Sequence, residues 1–122
     1  MKKILFIEDE TSLQQALGTI LKDKGYEVTG AFDGETGLKL AKEWGPNLIL
    51  LDVILPKIHG FEVLKKLKEE KETQQIPVIV LTNLEEMENV GKAFELGAIS
   101  YLIKSQYSLE EVLEKIKKAL GE

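Results

Sequence analysis

Five short apolar runs alternate with five helical patterns along the chain, and no other feature restricts the fold as much. "KILFI" (3–7) is continuous and apolar, and "TSLQQALGTILKDKG" (11–25) follows, with Leu13, Ala16, Leu17, Ile20 and Leu21 at helical spacing. Thr11 with Gln14, or Ser12 with Gln15, is placed to form a capping box at its start, and Gly25 to stop it. "YEVTGAF" (26–32) reads as a weaker strand that ends near Asp33. "DGETGLKLAKEWGP" (33–46) reads as a helix capped by Asp33 and stopped by Gly45-Pro46. "NLILL" (47–51) and "IPVIVL" (76–81) are strands. Between them, "GFEVLKKLKEE" (60–70) places Phe61, Leu64 and Leu67 on one face of a helix. Leu84, Met87, Val90 and Phe94 are expected to line the next helix, and "SYLI" (100–103) is the fifth strand. "SLEEVLEKIKKALG" (108–121) is the clearest helix, with a Ser108/Glu111 capping box, an apolar face of Leu109, Val112, Leu113, Ile116 and Leu120, and Gly121 behind it.

Strands that are apolar throughout belong in a parallel sheet covered on both faces. Right-handed crossovers then give an α/β fold, a (βα)5 doubly wound sheet in a three-layer sandwich. The chain of 122 residues is long enough to bury a core without staples and is read as a single domain, 1–122. It has no cysteine, which excludes disulfides and thiolate metal sites. No signal peptide or membrane span is legible, so a cytoplasmic location is expected. The net charge is −5 and all 16 basic residues are lysine. The lack of arginine, the usual bidentate reader of phosphate and guanine, argues against nucleic-acid binding by this domain.

Ligands of such sheets bind beyond the carboxyl ends of the strands. There the sequence places Glu8-Asp9-Glu10, Asp52, Thr82-Asn83 and Lys104. Taken singly, each has an ordinary explanation as a helix cap or a solvated loop residue. As a convergent set they do not: carboxylates brought together repel unless a cation joins them. An all-oxygen donor set suits Mg²⁺. A lysine and a hydroxyl beside it would receive an anion, which points to phosphoryl transfer with Asp52 as acceptor.

With these residues in order, the chain resembles the receiver domain of two-component response regulators, of the stand-alone chemotaxis-regulator type. The resemblance rests on "KILFIEDE", "PNLILLDVILPKIHGFEVLKKLK" with Asp52, Pro56 and Gly60, "IPVIVLTN", and "GAISYLIKS". It implies a flavodoxin-like strand order of 2-1-3-4-5. It implies that Asp52 accepts a phosphoryl group from a sensor histidine kinase or a phosphotransfer protein. Glu8, Asp9, Asp52 and the backbone carbonyl of Ile54 would hold Mg²⁺, with Mn²⁺ as an alternative. Thr82, Lys104 and the backbone N–H groups of Val53 and Asn83 would hold the phosphoryl oxygens. Thr82 and Tyr101 would form a switch that alters binding of a downstream protein target through helix 4, strand 5 and helix 5. The resemblance further implies a signalling domain rather than an enzyme, either a monomer or a weak phosphorylation-dependent dimer.

Four positions depart from the family's commonest pattern. Ser105 stands where proline is usual, so a trans Lys104–Ser105 bond is expected. Asn83 stands where a small residue is usual. Ile54 and Leu84 are apolar and cannot hold an attacking water by hydrogen bonds, which implies a long-lived phosphoryl group. His59, the only histidine, replaces an acid and is expected to be solvated or structural. Trp44 is expected to pack outside the sheet, and "KKLKEEKE" (65–72) to form a solvated helix face. The competing reading is a pseudo-receiver, a constitutive protein–protein module on the same fold. A flavodoxin-type cofactor binder would need a glycine- and hydroxyl-rich loop where "IEDETS" stands.

Overall fold

A computed structural model describes residues 1–122. Five strands, β1 (Lys3–Ile7), β2 (Glu27–Ala31), β3 (Leu48–Leu51), β4 (Val78–Thr82) and β5 (Ser100–Ile103), form one parallel sheet in the order β2-β1-β3-β4-β5. Between and after them run α1 (Thr11–Asp23), α2 (Gly34–Trp44), α3 (Gly60–Glu69), α4 (Met87–Glu95) and α5 (Leu109–Ala119), with a single 3₁₀ turn, Lys104–Gln106, ahead of α5.

The alternation of side chains along each strand separates two cores. Leu5, Ile7, Ile49, Leu51, Val78 and Val80 face one side and meet Ala41 of α2, Val63, Leu64 and Leu67 of α3, and Ala93 of α4. Ile4, Phe6, Leu48, Leu50, Ile79 and Leu81 face the other side and meet Leu17 and Leu21 of α1 and Val112, Leu113 and Ile116 of α5. The central strands β1, β3 and β4 are buried almost throughout because helices cover both faces. The edge strands β2 and β5 are only half covered, which is why "YEVTGAF" carries the weaker pattern.

Several ends follow their local chemistry. Asp33 caps α2 by accepting from the Thr36 N–H at 2.8 Å, and Gly45 ends that helix in the left-handed region at φ 66°. The Ser108/Glu111 capping box opens α5 with reciprocal bonds of 2.8 and 3.1 Å. Trp44 packs against the first core with the Lys3 ammonium 5.4 Å from its ring centre.

Three expectations need correction. Neither capping box forms at α1, whose N-cap is Glu10 with no side-chain bond; the Gln14 amide turns to the strand ends instead. The expected apolar face of α4 is not its buried face. Leu84 precedes the helix, Met87 is 82 % and Phe94 48 % exposed, and the contact with the sheet runs through fully buried Ala93. Alanine lets the helix axis approach closely, and the large side chains then fall on its flanks. Finally, Lys68 of the lysine–glutamate run is not solvated. Its ammonium donates to the carbonyls of Gln74 and Ile76 at 3.2 and 2.8 Å, and burial pulls its pKa down.

Candidate functional site

The register sets the site. Ile7 pairs with Leu51, Leu51 with Val80, and Thr82 with Ile103, so the residues after each strand end gather at one edge of the sheet. Glu8 follows β1, Asp52 follows β3, Thr82 closes β4, and Lys104 follows β5.

Glu8, Asp52 and Thr82 are nearly or fully buried, whereas Asp9 is exposed. The Lys104 ammonium lies between the two buried acids, 2.7 Å from Glu8 Oε1 and 2.8 Å from Asp52 Oδ2, with Glu10 Oε1 at 3.6 Å. The Lys104–Asp52 contact is a hydrogen bond. The Glu8 Oε1 contact is an ion pair with angles outside hydrogen-bond geometry. Asp52 Oδ1 accepts from the Ile54 N–H at 3.1 Å, and Glu8 Oε2 accepts from the Glu10 N–H at 3.0 Å.

Burial pushes the Glu8 carboxyl up to about 7, with the Asp52 charge acting in the same direction and Lys104 and the Glu10 N–H opposing. For Lys104, burial pulls downward, but the hydrogen bond to Asp52 and the close carboxylates of Asp52 and Glu8 outweigh it and its pKa is raised. The ammonium is therefore charged at neutral pH. The trans Lys104–Ser105 bond, present as expected, leaves it well placed on Asp52.

Glu8, Asp9 and Asp52 each bring a carboxylate oxygen to within 4.8 Å of the others. This all-oxygen, anionic set fits a hard divalent cation such as Mg²⁺. Beside it, the Thr82 hydroxyl is buried without a hydrogen-bond partner. An orphaned buried hydroxyl costs about 1–3 kcal/mol, so an acceptor or donor brought to it gains that much. Tyr101 is half-buried; its hydroxyl donates to the Leu84 carbonyl at 2.8 Å and so ties β5 to the loop after β4. Burial, then the charges of Glu86 and Asp52, raise its pKa.

The loop between β3 and α3 is held tightly. A Cβ on Gly60 would stand 2.2 Å from Val53 Cα and 2.7 Å from the Asp52 carbonyl oxygen, so only glycine fits. The Gly60 N–H donates to the Val53 carbonyl at 2.8 Å. Lys57 adopts φ 70° while the Ile58 N–H bonds the Pro56 carbonyl at 2.9 Å, a γ-turn with stored backbone strain. His59 takes the structural alternative: its Nδ1 accepts from the Phe61 N–H at 3.1 Å and caps α3. Val53 is buried, while Ile54 and Asn83 are exposed at the rim and Leu84 is half-buried. The acids, Thr82 and Lys104 are legible in the sequence; the contact of Glu10 with Lys104 and the bonds of Gln14 are not, because neither follows from spacing along one element.

The chain is 37 % identical over 120 residues to the DNA-binding dual master transcriptional regulator RpaA of Synechocystis, covering 98 % of this chain and 49 % of that protein. It is 41 % identical over 119 residues to the alkaline phosphatase synthesis transcriptional regulatory protein PhoP of Bacillus subtilis, covering 98 % and 48 %. The chain thus spans about half the length of these relatives. A CheY-like response regulator receiver domain protein from Methanospirillum hungatei superposes with a TM-score of 0.92 at 31 % identity, over 99 % of this chain and 94 % of that one. No helix is long and apolar enough to cross a membrane. The model of the response regulator receiver domain matches residues 4–117, and with the strand order it places the chain in that family of signalling domains.

Proposed function

We propose that this chain is a phosphorylation-dependent switch with Asp52 as its acceptor. The observation that carries the reading is the buried Asp52 carboxylate, with the Lys104 ammonium at 2.8 Å on one oxygen and the unpartnered Thr82 hydroxyl at the end of the neighbouring strand. An Asp52 carboxylate oxygen attacks the phosphorus of a phosphohistidine on a sensor kinase or phosphotransfer protein. The P–N bond breaks, the imidazole leaves with its electron pair and takes a proton from solvent, and an acyl phosphate remains on Asp52. Lys104 holds charge on the phosphoryl oxygens, and Thr82, with the N–H groups of Val53 and Asn83, supplies further donors. Glu8, Asp9, Asp52 and the Ile54 carbonyl would hold Mg²⁺, or Mn²⁺ in its place. When bound, the cation neutralises the acids and the charge of the incoming phosphoryl group.

As Thr82 turns to the phosphoryl group, the loop from Asn83 to Glu86 follows, and the Tyr101–Leu84 bond carries the shift to β5. The face of α4, β5 and α5 then presents a changed surface to a downstream protein. This is a two-state equilibrium biased by new charge-assisted bonds. Apolar Ile54 and Leu84 cannot hold an attacking water by hydrogen bonds, so the acyl phosphate is long-lived; rapid loss of label from the isolated phosphoprotein would contradict this.

The test is ¹H–¹⁵N NMR with beryllofluoride, a phosphoryl mimic, added with Mg²⁺. Shifts at 52–54, 82–86 and 100–104 that vanish in Asp52→Asn and do not reach β5 in Thr82→Ala support the switch. Identical spectra with and without the mimic would favour a constitutive interaction module.

A further inference from the structure

The Glu8–Asp9–Glu10 turn must keep its shape if the metal-binding acids are to converge, and it is restrained from two sides. From inside, the Glu8 carboxylate bonds the Glu10 N–H. From outside, the Gln14 side-chain amide, one turn into α1, spans the ends of two strands. Its Nε2 donates to the Glu8 carbonyl at 2.8 Å and the Ala31 carbonyl at 2.9 Å, with the Phe6 carbonyl more distant at 3.3 Å. Two hydrogens serve these acceptors, so the two short bonds carry the contact. The Ala31 carbonyl also accepts from the Glu8 N–H at 2.9 Å, so one amide closes a ring across β1, β2 and the turn. The Glu8 carbonyl belongs to the peptide plane that leads into Asp9; holding it restrains the backbone that carries the Asp9 carboxylate.

The Gln14 amide fills an open space over the neighbouring strand. Gly30 in β2 lies directly under it: a Cβ there would stand 2.0 Å from Gln14 Oε1, 2.7 Å from Cδ and 3.1 Å from Nε2. Gly30 does not adopt positive φ and is exposed, so the backbone itself does not require glycine. A Cβ there would push the Gln14 amide aside.

We propose that Gln14 and Gly30 act as a pair that positions the Glu8–Asp9–Glu10 turn for divalent-cation binding, Gln14 as the clamp and Gly30 as its seat. The proposal rests on the metal reading above. The contact is to main chain adjoining the acids, so Gln14 is a positioning residue and not a ligand.

The experiment compares wild type, Gln14→Met, Gly30→Ala and the double variant. Mg²⁺ alone is titrated while the backbone amides of residues 8–10 and 52 are followed by ¹H–¹⁵N NMR, and folding stability is measured by urea unfolding. Partners that orient metal ligands change affinity by about 10–100-fold, and a contact through the main chain belongs at the low end, about tenfold weaker Mg²⁺ binding in Gln14→Met. Gly30→Ala should weaken Mg²⁺ comparably while its folding stability stays within about 1 kcal/mol of wild type, since the narrower unfolded ensemble offsets part of the cost of the displaced Gln14 bonds. The double variant should bind no worse than Gln14→Met, because the alanine then has nothing to displace. A purely structural role would instead tie Mg²⁺ affinity to stability. Single variants that bind within about twofold of wild type, or losses that add in the double variant, overturn the proposal. If wild type itself fails to bind Mg²⁺, both the metal reading and the proposal fall; if wild type binds and the variants match it, only the proposal does.

Discussion

Replacing Lys104 with methionine tests the electrostatics of the site without touching an acid. Methionine keeps most of the unbranched side chain and removes the charge that two buried carboxylates share at 2.7 and 2.8 Å. Glu10, more than half exposed and 3.6 Å away, contributes little. Removing one partner of a buried ion pair costs about 3–5 kcal/mol. Proton uptake limits this. Glu8 already sits at about 7 in the folded chain, against an ordinary 4.5, and without Lys104 it moves higher.

A carboxyl raised on folding stabilises the fold at low pH, and that stabilisation is lost as pH rises through the folded value. The variant's penalty therefore grows with pH. At pH 5.5 Glu8 is largely protonated with or without Lys104, and the loss should be about 1–2 kcal/mol. At pH 8 it should reach about 2–4 kcal/mol. For a domain of this size, 3 kcal/mol lowers Tm by roughly 10 °C. Urea unfolding of wild type and Lys104→Met at both pH values, without divalent cations, measures the difference. A loss below about 1 kcal/mol at pH 8, or one larger at pH 5.5 than at pH 8, would refute the reasoning.

Gly60→Ala forces a Cβ into the backbone at Val53 and should cost about 2–3 kcal/mol in urea unfolding while slowing phosphorylation of Asp52; a neutral effect would mean the loop yields freely. Burial and the hydrogen bond and charge of Glu122 push the Tyr26 hydroxyl up to about 12. The stability it contributes is thus intact below pH 10 and lost as pH rises from 10 to 12, and Tyr26→Phe should flatten that part of an alkaline stability profile. Ser108→Ala removes the capping box of α5 and should lower stability by about 1 kcal/mol, read by thermal unfolding.

What the sequence disclosed depended on how far each signal was local. The five strands and five helices were legible because each apolar run or helical stripe is complete within its own segment, and parallel pairing then brought Glu8, Asp52, Thr82 and Lys104 together. The rotation of α4 was not legible. Met87, Val90 and Phe94 keep helical spacing, yet the residue of the helix that is buried against the core is Ala93. Gln14 looked like part of a cap because a capping box is a local pattern, while its partners are carbonyls at the ends of two strands. Lys68 likewise looked solvated until the segment after α3 folded back and offered the carbonyls of Gln74 and Ile76.

The most direct test of the central claim is intact mass after incubation with acetyl phosphate, with and without Mg²⁺, for wild type and Asp52→Asn. The account predicts the gain of a single phosphoryl group that requires Mg²⁺ and is absent from Asp52→Asn. No gain from acetyl phosphate or from a phosphohistidine donor protein, or the same gain in Asp52→Asn, would contradict it.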